Sequence, residues 1–172
     1  MSTLKVSNIQ DISNNAAMSI SGGIVTQTNN PLFLARGADN VAMANNTWVK
    51  VTFNSEVYDV GSYYDPTTNY RYTPQVAGKY LIYGRVYITY GSSSIEQVRI
   101  SIYKNGNNVA EMNRYGTAST TNIYGSVQVQ SIVDMNGSSD YLEIYARSSS
   151  STDASYYSSN AYGEFSGYRI GG

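Results

Sequence analysis

What most restricts the fold of this chain is a strict period-two alternation of side chains, with no stretch that holds apolar residues at the helical period of about 3.6. Between residues 80 and 90, one parity carries Tyr80, Ile82, Gly84, Val86, Ile88 and Tyr90; the other carries Leu81, Tyr83, Arg85, Tyr87 and Thr89. Successive side chains of a strand point to opposite faces, so the first set is expected in a core and the second outside it. An arginine set among large amphipathic side chains, as on the second face, suits a subunit contact or a ligand surface.

The same reading extends along the chain. Val98, Ile100 and Ile102 alternate with Arg99, Ser101 and Tyr103, and Lys104-Asn105-Gly106-Asn107 then supplies the Asn-Gly pair of a tight hairpin. Val127, Val129 and Val133 mark a further strand, and Met135-Asn136-Gly137-Ser138-Ser139 turns the chain. Leu142, Ile144 and Ala146 are then expected to point inward, with Tyr141, Glu143, Tyr145 and Arg147 outward. Turn signals recur at intervals of roughly ten residues, as in a sandwich or barrel. The serine-rich stretch 148–159 is expected to be an exposed loop tipped by Tyr156 and Tyr157. Residues 1–30 are polar, rich in Asn and Ser, and too thin to form a core. They are expected to be an N-terminal arm with short β-like runs at Thr3–Ile9 and Gly23–Gln27, ahead of a head spanning 31–172.

Composition narrows the function. Only 13% of the 172 residues are charged and the net charge is −1, so nucleic acid is not expected, and no apolar run approaches membrane-spanning length, so neither is membrane insertion. No His and no Cys are present, which removes thiol nucleophiles, cysteine metal sites and the usual general base. Glu56, Asp59, Asp65 and Asp140 could form a carboxylate pair, but Asp59 and Asp65 read better as turn residues whose side chains hold backbone amides. Asp134-Met135-Asn136-Gly137-Ser138-Ser139-Asp140 has the oxygen donors of a loose calcium loop without its terminal glutamate, and reads as a hairpin turn. No enzyme activity, cofactor or metal is therefore expected. Asn45 and Asn136 begin glycosylation-type triplets, but the polar stretch after Met1 lacks a secretory signal, so assembly in a cell's cytoplasm is expected.

The positive signal is tyrosine, at 18 residues against one Trp and three Phe. Tyrosine gives rigid contact area with a polar handle. Tyr156, Tyr157, Tyr115 and Tyr162 are candidates for ligand contact, and Tyr83, Arg85, Tyr87, Tyr103 and Tyr145 for contacts between subunits. Leu4, Val6 and Ile9 are candidate anchors in the arm. Trp48, in Thr47-Trp48-Val49-Lys50-Val51-Thr52-Phe53, reads as a core or inter-subunit aromatic rather than a sugar platform.

Four motifs occur together in order. Asp65-Pro66-Thr67-Thr68-Asn69-Tyr70 forms a turn. There follow Tyr72-Thr73-Pro74-Gln75-Val76-Ala77-Gly78-Lys79-Tyr80-Leu81-Ile82, then Tyr103-Lys104-Asn105-Gly106, then Phe165-Ser166-Gly167. This series resembles the complement globular-head family, relatives of tumour necrosis factor, over residues 31–172. Asn69 stands where that family often has Gly, and Pro74 sits one place early. The resemblance implies an all-β, ten-stranded jelly-roll sandwich, trimeric, without a catalytic site, that binds ligands through loops and side faces.

The opening Met1-Ser2-Thr3-Leu4-Lys5-Val6-Ser7-Asn8-Ile9-Gln10 is similar to the start of many tail-fibre and virion proteins of tailed phages, especially phages of marine cyanobacteria. Together these resemblances imply a homotrimeric phage surface protein. Its extended arm would join other virion proteins, and its head would meet a host glycan or protein. A capsid decoration trimer is the alternative.

Overall fold

The computed structural model describes residues 5–10, 12–14, 16–27, 29–37, 40–90, 95–116, 125–150, 154–159 and 161–172. Every regular element among them is a β-strand. The arm holds β1 (Asn8–Gln10), β2 (Ala16–Ser21) and β3 (Ile24–Thr26). The first part of the head holds β4 (Leu32–Arg36), β5 (Asn40–Met43), β6 (Val49–Lys50), β7 (Ser55–Val60), β8 (Tyr64–Asp65) and β9 (Arg71–Tyr72). Four long strands follow, β10 (Gly78–Tyr90), β11 (Ile95–Lys104), β12 (Asn107–Tyr115) and β13 (Gly125–Met135). The chain ends with β14 (Leu142–Ser150), β15 (Ala154–Tyr157) and β16 (Glu164–Gly171).

Sixteen strands are described, three in the arm and thirteen in the head, where ten were expected. In the head the difference comes from interruptions. β10 pairs with β13 along one edge and, on the other, with β16 from Lys79 to Arg85 and then β15 from Tyr87 to Tyr90. β15 and β16 thus share one line of the sheet, and their partners β5 and β4 are divided in the same way. β7 closes the far edge. The second sheet runs β12-β11-β14-β9-β8, with β6 also paired to β14.

The alternation places the core as expected. Tyr80, Ile82, Val86 and Ile88 of β10 are buried against Val98, Ile100 and Ile102 of β11 and Leu142, Ile144 and Ala146 of β14. Gly84 is required by this packing, because a Cβ there would lie 2.6 Å from Ile144 Cδ1. The centre is aromatic. Phe33 of β4 stacks on Tyr72 of β9 at 4.0 Å and on Tyr64 of β8 at 5.4 Å, and meets the edge of Phe165 of β16 at 4.8 Å. Phe33 therefore ties the first sheet to the second.

The turns also form where the sequence placed them. Asn105 and Gly106, at φ 51° and 79°, join β11 to β12. Asp65 accepts from the backbone N–H groups of Thr67, Thr68 and Asn69 at 3.0, 2.9 and 3.1 Å. The positive φ of this turn is at Tyr70 (50°), and the Asp65 carboxylate holds Asn69 by both its backbone and its side-chain amide.

Two expectations are corrected, and the outward direction expected of Glu143 holds without exposure. Stretch 148–159 is not one exposed loop: β14 runs through Ser150, and β15 pairs with both β10 and β5. Glu143 points away from the core yet is buried, covered by Lys50 and Tyr145. The arm is not a single extended segment but a three-stranded antiparallel meander, folded at Gly22-Gly23, whose φ values are both positive. It enters the head beside β16, where Asn30 Nδ2 donates to Arg169 O at 2.9 Å and Arg169 N donates to Pro31 O at 2.9 Å.

Replacing Phe33 by Ala removes the ring that bridges the sheets. The expected loss is about 3–5 kcal/mol, the range for a fully buried aromatic, read as a lowered midpoint in urea denaturation.

Candidate functional site

The two sheets bury one face each and turn the other outward, so the head has two broad external faces. On the first sheet, the pairing register lines up side chains of outward parity. Ile132, Leu81, Tyr168, Leu32 and Val60 follow one another across β13, β10, β16, β4 and β7. The next row is Gln130, Tyr83, Ser166, Leu34 and Tyr58. Ile132 is 58% exposed and Tyr168 48%, so the first row is a sheet-spanning apolar band open to solvent. Tyr83 donates to Gln128 at 2.9 Å, and Arg85 faces Glu164 at 4.0 Å. Farther along β10, Tyr87, Thr89, Tyr157 and Tyr162 line a cleft of about 350 Å³. Tyr87 contacts Tyr162 at 5.3 Å and Tyr157 at 6.1 Å between ring centroids.

The second sheet presents a different face. Trp48 packs edge-on to Tyr103 at 6.0 Å, and Tyr103 lies 4.3 Å from Tyr145. Lys50 pairs with the buried Glu143 at 2.5 Å, and Arg99 pairs with Glu111. These side chains form a second packed layer over the sheet, deep enough to bury Ser101 as well.

The proposed residues divide accordingly. Tyr83, Arg85 and Tyr87 lie on the first face, whereas Tyr103 and Tyr145 lie on the second, because β10 belongs to one sheet and β11 and β14 to the other. They are not one contact patch. Tyr157 and Tyr162 come together at the cleft, and Tyr115 is exposed at the end of β12. Tyr156 is corrected: it is fully buried. Its partner on β10 is Ile88, which turns its ring inward. Its hydroxyl accepts from Thr52 N at 3.0 Å and donates to Lys50 O at 3.3 Å, so it is a strut between the sheets. Trp48 is not a core residue; it sits half-buried on the second outer face. Val6 and Ile9 are exposed on the arm, and Leu4 lies outside the described residues.

Sequence reasoning missed the apolar band, because it exists only through the register of five strands. It left Trp48 open between core and subunit contact, although the alternation decides against the core: Val51 and Phe53 are buried, so Trp48 and Lys50 have the opposite parity.

The carboxylates serve turns. Asp59 accepts from Tyr64 N at 2.6 Å, and burial raises its pKa. Asp140 binds Lys104 at 2.8 Å, Asn105 Nδ2 at 2.7 Å and Asn136 N at 2.9 Å. Among the described residues, no group of three or more acidic side chains could hold a metal ion, and no helix is long and apolar enough to cross a membrane.

Hydrogen bonds from Thr68 N and Thr67 N hold the Asp65 carboxyl below its usual range, and the bond from Lys104 does the same for Asp140. Both therefore stabilise the fold fully above the unfolded carboxylate value near pH 4 and lose that contribution as pH falls below it. The melting temperature is expected to drop between about pH 4 and pH 2, and Asp140→Asn should flatten part of that drop. Tyr156→Phe leaves Thr52 N–H without its acceptor and should cost about 1–3 kcal/mol, measured by urea denaturation.

No protein-family model and no curated protein matches the sequence. Solved structures do match the fold. Murine APRIL at pH 8.0 aligns with a TM-score of 0.61 and 10% identity, over 82% of this chain and 99% of that one. Eiger TNF from S. frugiperda aligns with a TM-score of 0.54 and 11% identity, over 82% of this chain and 91% of that one. At such identities the likeness is one of fold alone, and the head has the jelly-roll fold of the tumour-necrosis-factor type.

Proposed function

We propose that the chain is a non-enzymatic, homotrimeric surface protein of a tailed phage, attached to the particle by its arm, with the jelly-roll head projecting as a short fibre that recognises the host surface. The observation that carries the assembly is the apolar band Ile132–Leu81–Tyr168–Leu32–Val60, which leaves apolar side chains open across a whole sheet. A second copy of the chain covers such a band in this reading, and the resemblance to the complement globular-head family supports three copies. The arm leaves the head beside β16, a strand of the same sheet, so three copies joined through this face bring their arms together. Ile9, Ile24 and Val25 are exposed on the arm's small sheet and Val6 and Ile12 beside it, and their burial is completed by other arms or by a virion protein. The virion assignment rests on the opening ten residues. Three copies multiply a weak contact with a repeated host glycan or protein.

A capsid decoration trimer is the second reading. It is favoured by the arm, whose described residues fold back into a three-stranded meander rather than running out as an extended segment.

Light scattering at micromolar concentration is expected to give three times the 18.8 kDa chain mass. Leu81→Glu combined with Ile132→Glu should release monomers; a monomeric wild type would overturn the assembly. Immunogold labelling of intact particles with an antibody to residues 31–172 tests the placement. Gold on the tail supports the host-recognition reading, gold over the capsid supports decoration, and unlabelled particles overturn both.

A further inference from the structure

The second sheet carries a charge arrangement that needs a reason. Arg99 of β11 and Arg147 of β14 are direct cross-strand partners, and like charges in that position repel. Glu111 offsets Arg99. Arg147 instead donates from Nε, at 3.1 Å, and from Nη2 to the amide oxygen of Asn46, a neutral group. Among the described residues, Arg147 therefore has no paired carboxylate on this face.

Both guanidinium groups lie by the ring of Trp48, with Cζ at 5.3 Å for Arg99 and 6.0 Å for Arg147. Asn46 is fixed by its own turn: it has φ 60°, and its N–H donates to Ser148 O at 2.8 Å. Ring and amide together hold the Arg147 fork in one place before any ligand arrives. Beside it, Trp48, Tyr103 and Tyr145 form a continuous half-buried aromatic surface.

We propose that Trp48, Arg147, Tyr103 and Tyr145 form a binding site for an acidic saccharide. A pyranose ring lays its apolar C–H face on Trp48, and tyrosine hydroxyls meet the sugar hydroxyls. A carboxylate on the sugar accepts hydrogen bonds from Arg147 and supplies a counter-charge. An acidic peptide would satisfy the arginine but leave the half-buried Trp48 ring without a partner of its own shape, and a neutral sugar would leave the charge unmet. The site is on the sheet opposite the apolar band, so it remains open in the trimer. The inference rests on reading the head as a recognition module and names the class of ligand.

Trp48 is the only tryptophan in the chain, so its fluorescence reports on this site directly. The full chain is titrated at low ionic strength with trigalacturonate, with maltotriose and with a glutamate-rich hexapeptide. The expected result is a saturable change in emission with trigalacturonate alone, weakened by added salt. Arg147→Gln should weaken it roughly tenfold or more, as befits loss of a charged hydrogen bond, with unchanged light-scattering mass and melting temperature. Arg147→Lys should restore part of the affinity. No saturable change with trigalacturonate overturns the site. An equal response to maltotriose overturns the role of Arg147, and an equal response to the hexapeptide overturns the saccharide in favour of an acidic protein. Binding is read on the purified chain and particle labelling on the virion, so failure of one is distinguishable from failure of the other.

Discussion

The stacking of Phe33 between strands of different sheets is the contact on which the rest depends. A sandwich of two sheets is held mainly by the side chains between them, since the backbone ladders run only within each sheet. Phe33 comes from the first sheet and its flat partners, Tyr64 and Tyr72, from the second. Tyr64 and Tyr72 belong to two-residue strands that offer few backbone bonds of their own, so their rings do much of the anchoring. Tyr64 adds a hydroxyl bond of 2.7 Å to Phe53 O. With the sheets locked at this point, the outward residues of each are fixed in place, and both external faces become rigid platforms.

Much of this arrangement was legible in the sequence because it is local. Alternation between neighbours decides which way a side chain points, and Tyr80 to Ile88, Val98 to Ile102 and Leu142 to Ala146 obey it. The Asn105-Gly106 turn follows from backbone sterics alone. What escaped depends on distant partners. Stretch 154–157 looks like a loop by composition, and only its pairing with β10 and β5 makes it a strand and buries Tyr156. The division of Tyr83 from Tyr103 onto opposite faces is equally non-local, since the two strands that carry them are consecutive in sequence but belong to different sheets.

The two outer faces illustrate different uses of tyrosine. On the first sheet, tyrosines sit mainly among aliphatic side chains and neutral amides, with Arg85 beside Glu164 and Lys79 paired with Asp134, a composition that suits burial against another protein surface. On the second, they sit among arginine, lysine and glutamate in a closed layer that already buries Ser101 and Glu143. The 18 tyrosines are therefore not one functional group. Some complete a core that has only three phenylalanines, and others give a weakly charged surface its contact area.

The junction between arm and head has a mechanical consequence. The chain enters at Pro31 and continues directly into β4, which is bonded on one side to β16 and on the other to β7. A pull transmitted through the arm along the strand loads those two ladders in shear, because antiparallel hydrogen bonds lie perpendicular to the strands. Bonds loaded this way share the force and must fail together, whereas bonds peeled from an end fail one after another. A tether placed here lets a head of ordinary thermodynamic stability resist tension through the direction in which its strands are gripped.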